Sequence, residues 1–248
     1  EVDAQYIIDA GIEGDPGASL DGLAAATAGY HPTRRPTTPS AGLLRDELDS
    51  GRADDRCPLH PARIIADTRT ALGREDIVLV DTGAVKMWMA RLYPTYAPNT
   101  CLISNGLSTM GFALPGALGV KLAKPDAKVL AVVGDGAFLM NSQEIETAVR
   151  ERIPLVVLIW EDNAYGLIAW KMDLETGGHS NVAFTNPDIE TYAASFGAHG
   201  HRITRADQLL PTLTDALAAD GVTLISCPVD YSENLSLIQR LGRLDEPL

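Results

Sequence analysis

Along this chain the spacing of apolar positions alternates between two kinds. Val129 to Val133 and Leu155 to Ile159 are unbroken apolar runs, the pattern of strands buried on both faces of a parallel sheet. Between them Ile145, Ala148 and Val149 recur at helical spacing, which predicts a helix from about Ser142. The unit is strand, helix, strand. In such a unit the carboxyl ends of both strands share one rim, so Asp135, within the triplet Gly134, Asp135, Gly136, and Asp162, after the second strand, meet there.

The same reading extends in both directions. Pro61 at a first helical position, with Ile64, Ile65, Thr68 and Leu72 behind it, predicts a helix, and Asp76 to Val80 a strand. Thr100 to Ser104 reads as another strand, followed by a turn and a helix to about Ala123 that tolerates Pro115 in its first turns. Asn186, Pro187, Asp188 starts a helix whose Ile189, Tyr192, Ala193 and Phe196 share a face and which stops at Gly197. His201 to Ile203 is then a short strand, Leu209 to Leu217 a helix and Val222 to Ser226 the last strand. The expected fold is α/β: a doubly wound, mostly parallel sheet of about six strands with helices on both faces and ligand at the carboxyl rim.

The ends differ from this body. In residues 1–28, Tyr6, Ile7 and Ile8 suggest a short strand and Asp21 to Ala28 a small helix, too little to bury a core. Residues 29–60 carry Pro32, Pro36, Pro39 and Pro58 among polar residues and read as a surface linker with one helix at Leu43 to Leu48. Residues 61–248 form the folded domain.

Composition narrows the function. Of 248 residues 46% are hydrophobic and 21% charged, which is ordinary for a globular α/β protein. A net charge of -13 argues against nucleic acid and anionic membranes as partners. No apolar run is long enough to span a membrane, and the acidic amino end does not read as a secretory signal, so the cytoplasm is the expected location. Cys57, Cys101 and Cys227 show no CxxC spacing and read as incidental thiols. His199 and His201 find no further ligands at metal spacing and fit a strand edge better; His179 has no neighbour to orient it as a base.

The chemistry lies at the carboxyl rim. Two carboxylates without Cys or His nearby suit a hard cation such as magnesium, which shares its shell with phosphate. Gly134 and Gly136 let main-chain N–H groups approach an anion, with a helix start beside them. A metal-bridged diphosphate is the implied ligand.

At these residues the chain resembles thiamine-diphosphate enzymes. GDG, an acidic residue one unit later and a glycine-containing turn match their metal-diphosphate motif. The flanking GLSTMGFALPGALGVKLAKP and IWEDNAYGLIAW are similar to the acetolactate synthase family, including its FAD-independent, catabolic type. Most of the superfamily has two Asn where this chain has Glu161 and Asp162; the catabolic members also carry Asp at the second place. The resemblance implies metal ligation by Asp135, Asp162 and the main-chain oxygen of Ala164. It implies cofactor contacts by Gly134, Asp135, Gly136 and Ala137, by Asp162, Ala164, Tyr165, Gly166 and Leu167, and by the amides of Gly83, Ala84 and Val85. Met110 becomes the apolar wedge under the bent cofactor, Ser108 offers its main-chain oxygen to the pyrimidine amine, and Leu167 touches cofactor or substrate, so that Met110 and Leu167 are the catalytic candidates. Lys86 is a candidate phosphate binder at a place where the family varies. Trp170, Lys171 and Met172 either face the acceptor pocket or simply pack, and residues 176–185 resemble a loop that closes over the site.

The implied cofactors are thiamine diphosphate and Mg2+, with flavin left open. The implied reaction is decarboxylation of a 2-keto acid, pyruvate foremost, and carboligation of what remains to a second carbonyl compound. EVDAQY and GIEGD resemble the end of the family's middle domain, and there is no initiator Met, so the chain is expected to be a proteolytic or split half of a longer enzyme. The catalytic glutamate of the family sits on a pyrimidine-binding domain that this stretch does not resemble. A partner chain bearing that domain is therefore expected, in a dimer of such pairs or a tetramer. The alternatives are an acyloin-forming carboligase or 2-keto-acid decarboxylase of specialised metabolism, and a non-catalytic regulatory or scaffold subunit.

Overall fold

The structure, a computed structural model, describes residues 10–31, 45–49, 51–234 and 237. It divides into two units, residues 1–39 and 40–248. In the first, helix α1 (Pro16–Thr27) starts where Asp15 caps the amide of Ala18 at 2.9 Å, and none of its residues is buried. The strand expected at Tyr6 to Ile8 lies outside the described residues.

The second unit holds one six-stranded sheet. Its strands are β1 (Ile77–Val80), β2 (Cys101–Ile103), β3 (Val129–Gly134), β4 (Leu155–Glu161), β5 (His199–Arg202) and β6 (Val222–Pro228). The order is β2-β1-β3-β4-β6-β5, and every neighbouring pair is parallel, rather than mostly so. The helices are α2 (Pro61–Ala71), α3 (Ala84–Leu92), α4 (Ala113–Ala123), α5 (Asp135–Asn141), α6 (Glu144–Arg150), α7 (Gly166–Thr176), α8 (Ile189–Ser195) and α9 (Leu209–Ala218).

The unbroken apolar runs are explained by the two cores they divide between them. Val78, Val80, Leu130, Val132, Val156 and Leu158 pack into a cluster with Ile64, Trp88 and Leu209 of α2, α3 and α9. Their strand neighbours Leu79, Ala131, Val133, Val157 and Ile159 pack into a second cluster with Leu114, Ile145 and Ile189 of α4, α6 and α8. Because strand side chains alternate between faces, both members of each alternation must be apolar.

Two expectations need correction. The helix expected from about Ser142 begins at Asp135 and breaks at Ser142 and Gln143 into α5 and α6. Gly134 closes β3 and caps the first of these, whose opening turn holds Asp135 and Gly136 with Ala137 and Phe138 buried behind them. The stretch expected as a surface linker also contributes to the core. Leu48 and Leu59 are buried in the first cluster, and Leu59 bridges Val229, donating to Pro228 O at 2.8 Å and accepting from Asp230 N at 2.9 Å.

The chain turns back between β1 and β3, since β2 lies to one side of β1 and β3 to the other. At such a reversal the loops leaving adjacent strands diverge and open a crevice at the carboxyl rim. The loops after β1, β3 and β4 meet there.

Candidate active site

A cavity of about 240 Å3 lies at this crevice. The loop after β1 and the start of α3 contribute Gly83, Ala84 and Val85, the turn before α4 contributes Ser108 and Met110, and the end of β3 with the start of α5 contributes Gly134, Asp135, Gly136 and Ala137. The loop after β4 and the start of α7 add Asp162, Ala164, Tyr165, Gly166 and Leu167. The structure thus brings every residue expected at the cofactor and metal site to one cavity wall. Thr82, Ile168 and Tyr231 complete it and were not foreseen.

Asp135 organises the wall. It is buried, and Oδ2 accepts from the amides of Asp162 (3.1 Å) and Asn163 (2.7 Å) and from the side-chain amide of Asn186 (2.7 Å), while Oδ1 accepts from Gly136 N at 2.8 Å. Four donors from three separate segments thus converge on one carboxylate. The β4 loop is therefore pinned to the end of β3 through this carboxylate. Asn186, legible only as part of a helix start, is a partner the sequence reading missed.

Asp162 sits beside Asp135, and its own pKa is raised, first by burial and next by the Asp135 charge. Two carboxylates with little water repel, and a cation between them relieves both the repulsion and the burial cost. Tyr231 shares this surrounding: burial and the charges of Asp162 and Asp135 push its phenol well above the ordinary tyrosine range, so it stays a neutral donor. No lysine, arginine or histidine lines the cavity among the described residues. An anionic ligand must therefore be held by main-chain amides or bring its own cation. A divalent ion with a diphosphate fits this wall, with Asp135, Asp162 and Ala164 as the residues to hold the ion.

The glycines serve different ends. A Cβ on Gly166 would lie 2.3 Å from Asp162 Oδ2, and one on Gly136 would lie 2.8 Å from the Tyr165 ring, so both are needed for packing within the wall. A Cβ on Gly134 would meet nothing within 4 Å although Gly134 lines the cavity, which leaves its backbone open to a ligand. Gly83, at φ 139°, takes a conformation that side-chain-bearing residues avoid.

Other candidates are placed elsewhere. Glu161, where most of the superfamily has Asn, is buried with its carboxylate turned to Arg202 (2.9 Å) and Ser226 Oγ, and it does not line the cavity. Lys86 is also outside the wall, donating to Ser104 O and Ser108 Oγ. Trp170, Lys171 and Met172 lie beyond the residues of α7 that line the cavity. Contrary to expectation His179 has an orienting neighbour, Asp173 at 2.7 Å, but it is exposed and does not line the cavity, and His199 and His201 stand exposed on edge strand β5. The chain after α7 doubles back on the β4 loop, with Phe184 N donating to Asn163 O and the Phe184 ring 5.0 Å from that of Tyr165. Asp81, fully buried at the end of β1, ties two loops of the wall together: it accepts from Thr82 N (2.8 Å), Gly111 N (3.0 Å) and Ala113 N (2.7 Å).

The model of the thiamine pyrophosphate enzyme C-terminal TPP-binding domain matches residues 81–227, more than half the chain and all but one of the cavity-lining residues. The chain belongs to the thiamine pyrophosphate enzymes. Within this family it is similar to the acetolactate synthase of Bacillus subtilis (strain 168), 43% identical over 178 residues, which are 72% of this chain and 31% of that protein. It is also similar to the catabolic acetolactate synthase of Raoultella terrigena, 36% identical over 244 residues, 95% of this chain and 43% of that protein. The chain thus spans less than half the length of these relatives. Among solved structures, the thiamine diphosphate-dependent 4-hydroxybenzoylformate decarboxylase of Rhodococcus jostii RHA1 matches with a TM-score of 0.66 and 25% identity, covering 71% of this chain and 33% of that one. The doubly wound sheet is thus the fold of a thiamine pyrophosphate enzyme, and the carboxyl-rim cavity falls inside the domain that names the family. No helix among the described residues is long and apolar enough to cross a membrane.

Proposed function

We propose that this chain is the diphosphate-binding half of an acetolactate synthase-like carboligase that decarboxylates a 2-keto acid, pyruvate first, and joins the remainder to a second carbonyl compound. The observation that carries the reading is the Asp135 and Asp162 pair in a cavity that no cationic side chain lines among the described residues. Asp135, Asp162 and the main-chain oxygen of Ala164 hold Mg2+. The amides of Gly83, Ala84 and Val85 and the open backbone at Gly134 receive the diphosphate. When bound, thiamine diphosphate supplies the electron sink for loss of carbon dioxide and for carbon–carbon bond formation. Met110 would serve as the apolar wedge for the cofactor, its unbranched thioether suiting an irregular contact, and Leu167 would exclude water beside it.

A second polypeptide surface completes the site. Ligand sites commonly enclose about 300–1,000 Å3, more than the 240 Å3 found here. Large apolar side chains stand exposed on elements that form the wall: Leu107 at 99% in the turn that carries Ser108 and Met110, Met140 on α5 and Ile168 on α7. Apolar groups left uncovered around a cavity suit a covering partner, and we assign it the pyrimidine-binding domain with its catalytic glutamate. The test is turnover of pyruvate with Mg2+ and thiamine diphosphate, by this chain alone and with a polypeptide bearing that domain. Acetolactate from the pair and none from the single chain is expected; turnover by the single chain contradicts the need for a partner. Likeness to a 4-hydroxybenzoylformate decarboxylase makes simple decarboxylation the second reading. An aldehyde as the sole product, with aromatic 2-keto acids preferred, identifies it.

A further inference from the structure

Ser108 combines three features that a wall residue of merely structural role does not need. It lines the cavity, it holds a left-handed backbone at φ 50° between Gly106 at 78° and Gly111 at 80°, and its Oγ lies 3.0 Å from the ammonium of Lys86. Outside glycine, asparagine and aspartate a left-handed backbone is disfavoured, and it persists where the surroundings enforce it, often at functional sites. The enforcing groups are visible. Lys86, in the first turn of α3, spans to the turn through Ser104 O at 2.7 Å as well as Ser108 Oγ, and Asp81 holds Gly111 from the other end.

The hydroxyl's direction follows from this contact. A serine hydroxyl has one donor and two acceptor positions. An ammonium can only donate, so Ser108 Oγ must accept from Lys86, and its own proton points elsewhere. Among the described residues no acceptor takes that proton. We propose that Ser108 Oγ–H donates a hydrogen bond to a neutral acceptor atom of the ligand in this cavity, with Lys86 as the positioning residue that orients it. The acceptor is either a carbonyl oxygen of the 2-keto acid or a ring nitrogen of the cofactor. The inference rests on the proposed function and concerns the side chain of Ser108, separately from its main-chain oxygen.

The test uses Ser108→Gly, which suits the left-handed backbone while deleting the hydroxyl, together with Lys86→Met, Lys86→Arg and the double variant Lys86→Met with Ser108→Gly. Calorimetry gives the Kd for thiamine diphosphate at saturating Mg2+, and steady-state kinetics of the complete enzyme gives KM and kcat for pyruvate. Ser108→Gly and Lys86→Met are each expected to weaken the same step by about five- to tenfold, the scale of one hydrogen bond. The double variant is expected to be no worse than either single one, because Lys86 acts through Ser108. Lys86→Arg should restore most of the loss. A change confined to the Kd identifies the cofactor as acceptor, and one confined to KM or kcat the keto acid. Ser108→Gly behaving as wild type, whether or not Lys86→Met is impaired, overturns the inference and leaves the functional reading intact. A wild-type complex that binds no thiamine diphosphate overturns both.

Discussion

The two rims of the sheet present cavities of opposite character. At the amino rim the opening is the larger, about 630 Å3 against about 240 Å3, and it is lined by charges of both signs, among them Lys121, Asp126, Lys128, Glu151 and Arg152. Those charges stand in solvent or are satisfied locally. Lys121 Nζ donates to Pro125 O and Ala127 O at 2.8 Å each, and the nearby Asp76 carboxylate accepts from Gly73 N and Lys128 N. At the carboxyl rim the charges are fewer, of one sign and desolvated, and glycines occupy places where a side chain would collide. Volume and charge count do not mark the site. What marks it is electrostatic tension that a bound cation relieves, combined with backbone open to an anion.

Substitutions at the two rims should separate in magnitude. Asp135→Ala removes a proposed metal ligand and leaves the amides of Gly136, Asp162, Asn163 and Asn186 without their acceptor. Cofactor affinity at saturating Mg2+ should fall by on the order of 100-fold or more, measured by calorimetry; an unchanged Kd would remove Asp135 from the site. Gly166→Ala puts a methyl 2.3 Å from Asp162 Oδ2 and should displace that carboxylate. The expected loss of Mg2+-dependent cofactor binding is about thirtyfold, near 2 kcal/mol, and the same titration checks it.

A smaller effect separates the rims by pH. Asp162's folded pKa is raised by burial and Asp135, so between the ordinary carboxylate value near 4 and its own higher value the folded chain binds more protons than the unfolded chain. Metal-free stability contributed by this group is present below that window and is lost as pH rises through it. Asp162→Asn should therefore stabilise the metal-free chain at about pH 8 by on the order of 1 kcal/mol and leave it nearly unchanged at about pH 4, as read by urea denaturation. Equal effects at both pH values would show that the repulsion is not felt. At the other rim, Asp126→Asn, on an exposed residue, should change stability by no more than about 0.5 kcal/mol and cofactor affinity not at all. A measurable loss of cofactor binding there would end the contrast.

How far the sequence reaches follows from the same contrast. The sheet was legible because Val129 to Val133 and Leu155 to Ile159 are apolar at every position, which only burial on both faces requires. The acids were legible because each follows such a run within three residues, where a strand's carboxyl end must be. Asn186 and Tyr231 were not, since each reaches the wall from a distant segment, and the text around Asn186 reads only as a helix start. Asp81 lies just past the strand expected at Asp76 to Val80, and its bonds to Gly111 and Ala113 depend on how two loops cross. The orientation of Glu161 depends on Arg202 and Ser226 of two neighbouring strands, and no spacing along the chain encodes that meeting. The early start of α5 was hidden because a glycine-containing triplet more often closes a strand than opens a helix.

The central claim is that Asp135 and Asp162 grip one divalent ion between them. Anomalous diffraction from crystals of the chain with the proposed partner, grown with Mn2+ in place of Mg2+ and with thiamine diphosphate, locates that ion directly. A single peak within about 2.0–2.4 Å of a carboxylate oxygen from each aspartate and of the Ala164 carbonyl is the predicted result. A fully bound cofactor with no peak there, or with the ion held by other residues, would contradict it.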